Sequence, residues 1–338
     1  MIIKHDFCLA PFNTFGIEIF ARNLSIITSV SNLHELFNEG KLTKKKLLVL
    51  SKGSNILFTK HFEGLVLLNQ IWGKDIIKEN NDYVFLNVSS GEFWPDLVDF
   101  AVDNNWGGLE NLTDIPGKVG AAPVQNIGAY GSELKDVLIS LEAFDLHTGK
   151  IVEFLNSDCK FGYRTSIFKT THKNRFFITS VLLKLSKKPT VNLSYKPLKE
   201  AFDKKATEDI TIKDVSEKIL EIRNSKIPTP DKLKNAGSFF KNPLVSSEKL
   251  NDLVSGDPTI PSYTISNSEH KIPAAWLIEQ CGWKGKRIGN VGTYEKQALI
   301  LINYNKATGG EILNFAQSIQ KSVIDKFGIK LEMEVNVV

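Results

Sequence analysis

Short apolar runs recur along the first two thirds of the chain and are separated by amphipathic stretches. Four of these runs predict strands, since each is bounded by turn residues: LLVL (47–50), LVLLN (65–69), YVFLNVS (83–89) and FFITSVLLKLS (176–186). Apolar residues at helical spacing predict helices at WPDLVDFAVDNN (94–105) and VSEKILEIRNSK (215–226). The runs VLISLEAFDL (137–146) and IVEFL (151–155) flank HTGK and predict a β-hairpin. Strands and helices therefore alternate, without an internal repeat.

The last third of the chain shows the same two patterns after a proline-bearing segment, KIPTPDK (226–232), which we interpret as a domain boundary. Helices are predicted at PAAWLIEQCGW (273–283) and over 309–328, with a strand at QALILIN (297–303) between them. The final ten residues, IKLEMEVNVV, alternate apolar and polar positions and predict a strand with Glu332 and Glu334 on its polar face.

Composition narrows the class of protein. The 338 residues are 24% charged and 42% hydrophobic, which is typical of a compact protein of two or three domains. The net charge of +4 lies in short patches such as KLTKKK (41–46), so we expect anionic small molecules rather than nucleic acid as partners. The three cysteines show no disulfide or zinc spacing, and neither a membrane span nor a signal peptide is present. We therefore expect a cytoplasmic protein without a metal site.

Three segments carry glycines or hydroxyls where regular structure would not need them. SKGSN (51–55) turns sharply after a predicted strand, and the nearly uncharged segment 110–133 holds four glycines and two prolines, which predicts a long functional loop. In NAGSFFKNP (235–243), Ser238 precedes two phenylalanines. It is either a turn residue whose hydroxyl is hydrogen-bonded or a group for chemistry shielded by apolar neighbours.

These segments, with CKFGYRTSIFK (159–169) and LEMEV (331–335), resemble the UDP-N-acetylenolpyruvoylglucosamine reductase family in the family's order over nearly the whole chain. The LSYKPL and PSYTIS segments resemble its longer, type I form. The resemblance implies an α+β fold with a two-part FAD-binding region of the vanillyl-alcohol-oxidase (PCMH) type and a C-terminal α/β substrate-binding domain. It implies FAD-binding subdomains at 1–70 and 71–226 and a substrate domain at 227–328, with 329–338 returning to the first subdomain.

The resemblance also implies roles for individual residues. Arg164, Ser238 and Glu334 match the family's catalytic residues, and only this match selects Glu334 over Glu332. The implied substrate-binding residues are Tyr195, Lys226, Asn242, Tyr263 and Gln297. The implied FAD contacts are Gly53, Ser54, Asn55, Pro116, Gly117, Gly120, Gln125, Asn126, Gly128 and Ala129. Two positions depart from the family pattern: Lys52 stands where a glycine or an acid is common, and Asn336 where an arginine is frequent.

The resemblance implies the activity of a UDP-N-acetylmuramate dehydrogenase of peptidoglycan synthesis, with NADPH as co-substrate and with hydride reaching the vinyl carbon of the enolpyruvyl ether through non-covalently bound FAD. It further implies that Arg164 stabilises the negative charge that develops, that Glu334 polarises the enolate and that Ser238 protonates the carbon. We expect a monomer that binds neither nucleic acid nor a membrane. Two alternatives are a non-catalytic flavin- or sugar-nucleotide-binding protein and a flavin oxidase, but the first would lack the catalytic trio and the second needs no diphosphate recognition.

Overall fold

The structure is a computed structural model that describes residues 2–42 and 46–338. Residues 43–45 of the basic patch at 41–46 lie outside the described residues. The chain divides into two compact units. Unit 1 comprises Met1–Phe7, Ala21–Lys52 and Phe62–Ser225, and unit 2 comprises Cys8–Phe20, Gly53–His61 and Lys226–Val338.

Unit 1 is built on two sheets. The strands of unit 1 are β1 (Lys4–Cys8), β2 (Phe20–Ile27), β3 (Leu47–Leu50), β5 (Phe62–Asn69), β6 (Lys74–Glu79), β7 (Tyr83–Ser89), β8 (Gly128–Ala129), β9 (Ser132–Glu133), β10 (Leu138–Asp145), β11 (Ile151–Leu155) and β12 (Phe176–Ser186). Its helices are α1 (Val30–Asn38), α2 (Trp94–Asp103), α3 (Lys196–Ala201) and α4 (Ile212–Lys226). The smaller sheet has the order β1-β2-β5-β3, in which β2, β5 and β3 run parallel, and the larger is the antiparallel sheet β11-β10-β12-β7-β6.

The core of unit 1 follows from the sequence patterns. Alternate residues of β7, including Val84 and Leu86, are buried against the apolar face of α2, which contributes Trp94 and Leu97. Helix α2 begins at a Trp-Pro pair, because proline fits the first turn, where its missing N–H is not needed. The Trp94 indole N–H donates to the Leu112 carbonyl at 3.0 Å, which ties α2 to the glycine-rich segment 110–133.

Unit 2 combines short strands with helices. Its strands are β4 (Ile56–Leu57), β13 (Leu244–Ser246), β14 (Tyr263–Ser266), β15 (Glu269–Lys271), β16 (Arg287–Ile288), β17 (Val291–Thr293), β18 (Leu301–Asn303) and β19 (Asn336–Val337). Its helices are α5 (Ser247–Gly256), α6 (Ala274–Gln280) and α7 (Gly309–Phe327). Helix α7 starts at a capping box between Thr308 and Glu311 and ends at Gly328 in the left-handed conformation. Its buried face holds Ile312 and Phe315, and the Phe315 ring meets Trp283 at 5.2 Å.

Most predicted elements are confirmed, including the hairpin β10–β11 and the strands β3, β5, β7 and β12. Helix α6 is shorter than predicted, since it ends at Gln280, two residues before the left-handed Gly282. Among residues 2–42 and 46–338, no helix is long and apolar enough to cross a membrane.

Two strands near the C-terminus are shorter than predicted. Only Leu301–Asn303 forms β18, because residues 294–300 fold into a turn in which the Tyr294 N–H donates to the Ile300 carbonyl at 2.8 Å. In the final segment only β19 forms a ladder, parallel to β4. Val337 is 40% exposed, so the predicted alternation of buried positions stops at Val335.

Candidate active site

Ser238 lies directly after a turn that Asn235 organises. The buried Asn235 side chain donates from Nδ2 to the carbonyls of Pro228 (3.0 Å) and Leu233 (2.7 Å), and its Oδ1 accepts the Gly237 N–H at 2.9 Å. Gly237 adopts φ +69°, a conformation that side chains rarely tolerate. The turn therefore depends on one amide side chain and one glycine, and it fixes the backbone that precedes Ser238.

The two phenylalanines anchor this segment but do not cover the serine. Phe239 and Phe240 are buried with ring centroids 5.2 Å apart, and the Phe239 N–H donates to the Leu299 carbonyl at 2.8 Å. Ser238 itself is exposed. The prediction that apolar neighbours shield this hydroxyl was therefore wrong, because both rings pack into the core. Any exclusion of water from Ser238 has to come from a bound ligand.

The structure separates the two glutamates that the sequence pattern could not. The Glu332 side chain is 73% exposed and pairs with Lys241 at 3.0 Å. Glu334 is half-buried, and its backbone N–H donates to the Phe239 carbonyl at 2.8 Å. Glu334 thus lies opposite the residue that follows Ser238, whereas Glu332 is a solvated carboxylate in an ion pair. These contacts support the choice of Glu334 as the functional acid.

The glycine turn at Gly53 packs directly on another backbone segment. Gly53 has φ +67°, and a Cβ there would lie 2.0 Å from the Phe12 carbonyl oxygen, so no other residue fits. The Gly53 carbonyl accepts the Thr14 N–H at 3.1 Å. The half-buried Ser54 and Asn55 follow, and the Asn55 Nδ2 donates to the Glu334 carbonyl at 3.3 Å. Unit 2 therefore brings the glycine turn to the strand segment that carries Glu334.

The loop at residues 12–16 was not predicted from the sequence, although it packs against both the glycine turn at Gly53 and the segment that carries Ser238. Phe15 is buried and meets Phe239 edge-to-face at 6.2 Å, and the Phe15 carbonyl accepts from Asn303 Nδ2 at 2.9 Å. The sequence NTFG (13–16) indicates a turn, because a glycine follows an aromatic residue, and Gly16 indeed has φ +64°. This segment carries no reactive group.

In unit 1 the glycine-rich segment 110–133 is not the structureless loop that its composition predicts. It folds into short 3₁₀ helices at Glu110–Leu112 and Val119–Gln125 and the small hairpin β8–β9. Pro116 is exposed, and Gly117 has φ +145°. The prediction failed here because tight turns and 3₁₀ helices have no strong apolar period.

Two predicted FAD contacts in this segment also serve the fold itself. A Cβ on Gly120 would lie 2.5 Å from the Ser90 Cβ, so Gly120 permits close packing. Asn126 is buried with φ +46°, and its Nδ2 donates to Glu133 Oε2 at 2.9 Å and to the Gly162 carbonyl at 3.2 Å. The Asn126 side chain thus holds β8–β9 to the segment that carries Arg164.

Arg164 lies beside predicted FAD contacts of unit 1. Its Nη2 donates to the Gly128 carbonyl at 2.6 Å, and Gln125 Oε1 accepts from Lys169 Nζ at 3.0 Å. Gly128 and Ala129 form β8. Arg164 itself adopts φ +53°, and such left-handed non-glycine residues concentrate at functional sites, where the surrounding structure holds them. Unit 1 thus brings Arg164 to Gly128, and Lys169 to Gln125.

Lys118 lies within the same segment and was not predicted from the sequence. It is 6% exposed, its Nζ donates to the Asn69 carbonyl at 2.8 Å, and it lies 4.3 Å from the centre of the Trp72 ring. Burial, together with the positive charge of Lys52, lowers the pKa of Lys118 to about 8. Lys52, one of the two positions that depart from the family pattern, therefore adds positive charge near the buried Lys118. Both ammonium groups lie over the ring of Phe93, at 5.8 Å and 5.3 Å.

Tyr195 of unit 1 packs edge-to-face on Tyr130 with ring centroids 5.2 Å apart. Burial raises the pKa of Tyr130, which follows Ala129 directly and has φ +49°. Arg223 pairs with Asp114 at 3.1 Å and fixes this part of the segment to α4. Tyr195 is therefore held by an aromatic contact next to predicted FAD-binding positions.

The remaining predicted substrate residues lie in unit 2. Lys226 is exposed at the end of α4, and Tyr263 is 55% exposed at the start of β14. The Asn242 Oδ1 accepts the Ala274 N–H at 2.9 Å, and the Gln297 Oε1 accepts the Leu299 N–H at 3.2 Å. Asn242 and Gln297 thus each use their carbonyl oxygen to order a local turn or helix start.

Comparisons with known proteins cover both parts of the chain. The sequence profile described as "FAD binding domain" matches residues 24–155, and the profile described as "UDP-N-acetylenolpyruvoylglucosamine reductase, C-terminal domain" matches residues 229–338. The second match contains the Ser238 turn, β13–β15, α7 and the final segment.

Full-length relatives carry the same name. The UDP-N-acetylenolpyruvoylglucosamine reductase of Flavobacterium johnsoniae is 46% identical over 339 residues, covering 100% of both chains. That of Aliivibrio fischeri is 44% identical, covering 97% of this chain and 92% of the relative. The crystal structure of the UDP-N-acetylenolpyruvylglucosamine reductase of Thermus caldophilus shares the fold, with a TM-score of 0.70 at 23% identity and coverage of 100% and 99%.

Proposed function

The chain belongs to the UDP-N-acetylenolpyruvoylglucosamine reductase family, and on that premise we propose which of its residues hold the cofactor, bind the substrate and move the proton. Its FAD-binding domain is of the PCMH type, and the enzyme is an oxidoreductase of peptidoglycan precursor synthesis that uses FAD and NADPH. One observation carries the assignment of roles: Glu334 is bonded through its backbone to the residue next to Ser238, while Glu332 is tied to Lys241 in solvent.

The groups present fit a flavin dinucleotide. We assign it to the neutral hydroxyl and amides of Ser54, Asn55 and Gln125, together with the backbone of Pro116–Gly120 and Gly128–Ala129. Left-handed turns such as Gly53 and Gly117 expose backbone N–H groups, which bind phosphate oxygens well. Asn126 supports this set by holding the hairpin β8–β9.

We propose that the flavin is held without a covalent bond. Covalent attachment in this superfamily often uses a histidine near the glycine turn, and SKGSN contains none. Acid precipitation should therefore release all yellow colour into the supernatant. Colour that stays with the precipitated protein would contradict the assignment.

FAD, when bound, relays hydride from NADPH to the vinyl carbon of the enolpyruvyl ether. The residues of this chain have to manage the charge and the proton. Arg164 stabilises the negative charge that builds on the carboxylate and the adjacent carbon, because a guanidinium keeps its charge and can bridge two oxygens. Its hydrogen bond to Gly128 holds it beside predicted cofactor contacts.

Ser238 then donates a proton to that carbon as general acid, and Glu334 polarises the enolate. The exposed position of Ser238 gives a substrate direct access to the hydroxyl. The bound sugar nucleotide, rather than the phenylalanines, has to exclude water, because both rings are buried in the core. The rigid turn at Asn235 and Gly237 keeps the hydroxyl in place without a rearrangement during the reaction.

The UDP-sugar is assigned to Tyr195, Lys226, Asn242, Tyr263 and Gln297. Lys226 is a natural partner for the diphosphate, because it is an exposed cation at a helix end. Asn242 and Gln297 order their own segments through their carbonyl oxygens, which directs their amide nitrogens to act as donors. Tyr263 and its neighbour Ile265 are exposed on β14, where they can close over a bound ligand.

Lys226→Ala should weaken UDP-sugar binding far more than it slows turnover at saturation. A charge-assisted bond to phosphate contributes about 1.5 to 3 kcal/mol, or roughly 10- to 150-fold in affinity. The matched control is Lys232→Ala, which removes another exposed lysine of unit 2. Steady-state KM for the sugar nucleotide is the readout, and an unchanged KM in Lys226→Ala would remove this residue from the site.

The three-part division at residues 70 and 226 is part of the proposal. The boundary between Ser225 and Lys226 supports the division at 226, and the parallel pairing of β19 with β4, which lies within 1–70, supports the return of 329–338 to the first subdomain. We further propose the type I form, a cytoplasmic location and a monomer. The segment LSYKPL (193–198), which contains Tyr195, and the segment PSYTIS (261–266), which forms part of the β14–β15 hairpin, support the type I assignment.

Steady-state NADPH oxidation tests the function. We expect it to depend on UDP-N-acetylenolpyruvoylglucosamine and to yield a product two hydrogens heavier. Dioxygen uptake with an alcohol substrate, in place of this reaction, would favour the oxidase reading instead.

A further inference from the structure

We propose that Asn336 is a positioning residue that holds Asn55 in register with the backbone of Glu334. The proposal rests on the proposed function, because Asn55 is assigned to FAD and Glu334 to the enolate. Asn336 is one of the two positions at which the sequence departs from the family pattern, and no role has been given to its amide.

Asn336 makes two hydrogen bonds to a single oxygen. Its backbone N–H and its Nδ2 both donate to the Asn55 carbonyl, at 3.1 Å and 3.0 Å. The Asn55 Nδ2 in turn donates to the Glu334 carbonyl at 3.3 Å. Val335, which separates Glu334 from Asn336, is 3% exposed and anchors the segment in the core. Hydrogen bonds within unit 2 therefore link Asn336 to Asn55 and Asn55 to Glu334.

The second bond is specific to the side chain. Any residue at 336 could donate its backbone N–H, since β19 pairs with β4 beginning at Asn336 and Ile56. The Asn336 amide adds a donor on the same carbonyl, which has two lone pairs. With both engaged, the peptide after Asn55 cannot rotate, and the Asn55 side chain stays directed at Glu334.

A consequence follows for the chemistry. Asn55 is assigned to the flavin and Glu334 to polarisation of the enolate, so the Asn336 amide holds both residues in a fixed relation to each other. Loss of the amide should weaken FAD binding and slow flavin reoxidation by substrate. Reduction by NADPH at saturating FAD needs neither Glu334 nor the substrate and should change less than about threefold.

The test uses Asn336→Ala, Asn55→Ala and the double variant, with Val337→Ala on the exposed side of β19 as control. FAD affinity of the apoprotein is measured by flavin fluorescence, and the two half-reactions by stopped flow. We expect Asn336→Ala to weaken FAD and to slow reoxidation by about 3- to 10-fold each, the worth of one neutral hydrogen bond. In the Asn55→Ala background, Asn336→Ala should add less than about twofold, because no side chain remains to be misdirected.

Additive losses in the double variant, or equal slowing of both half-reactions, would overturn the positioning role while leaving the proposed function intact. An Asn55→Ala variant with unchanged FAD affinity and reoxidation would overturn both the positioning role and the assignment of Asn55 to FAD, whereas failure of the proposed function itself would appear as a parent protein whose reduced flavin the enolpyruvyl substrate does not reoxidise. If Asn336→Ala does not fold, Asn336→Asp serves instead, since it keeps the shape and replaces the donor by an acceptor.

Discussion

Ser238→Ala is expected to slow reoxidation of the flavin by the enolpyruvyl substrate by about 10³ or more, on the order of 4 kcal/mol, and to leave reduction by NADPH within about tenfold of the parent. General acid catalysis contributes about 10² to 10⁴ in rate, and loss of a hydrogen bond to the developing enolate adds to this. Reduction by NADPH requires no proton on a substrate carbon, so only the second half-reaction should respond strongly.

The structure indicates that Ser238→Ala removes the hydroxyl without disturbing the turn that precedes it. Ser238 is exposed, and the turn before it is held by Asn235 and Gly237 rather than by the hydroxyl. Alanine should therefore leave the fold unchanged. Ser255→Ala, on an exposed residue of α5, is the matched control and should alter neither half-reaction. Ser238→Cys should recover part of the rate, because a thiol can also donate a proton. Equal slowing of both half-reactions would make Ser238 a turn residue.

Arg164→Met should slow reoxidation by about 10² to 10³, which is the usual cost of removing a preorganised donor from a developing negative charge. Methionine retains a long unbranched chain in the left-handed backbone at φ +53° but loses both the charge and the bond to Gly128. Arg164→Lys keeps the charge without the planar fork and should recover less than the full rate.

Arg22→Met is the matched control for this prediction, because Arg22 is 70% exposed and pairs only loosely with Glu63 at 3.7 Å. Its half-reactions should match those of the parent. A reoxidation rate near the parent value in Arg164→Met would assign this arginine to loop structure, where its bond to Gly128 would be its main contribution.

The regular elements could be predicted because their signals are local. Alternating burial in β7 and the apolar face of α7 follow directly from spacing. The structure of the glycine-rich segment 110–133 could not be predicted, because its 3₁₀ helices are fixed by contacts such as those of Asn126 with Glu133 and Gly162.

The sequence predicts which residue types the candidate site contains, but not the contacts that hold those residues in place. The choice between Glu332 and Glu334 needed the pairing with Phe239 and Lys241, and the exposure of Ser238 needed the burial of its neighbours. The contact between Asn55 and Asn336 joins residues nearly 300 positions apart in the sequence, which no local pattern encodes.

The most direct measurement is a two-step visible spectrum of the purified protein under anaerobic conditions. One equivalent of NADPH per flavin is added first and UDP-N-acetylenolpyruvoylglucosamine second. We predict that the yellow absorbance bleaches with NADPH and returns fully with one equivalent of the enolpyruvyl substrate. A flavin that bleaches but stays colourless after the second addition, or one that NADPH never bleaches, would contradict the assigned reaction.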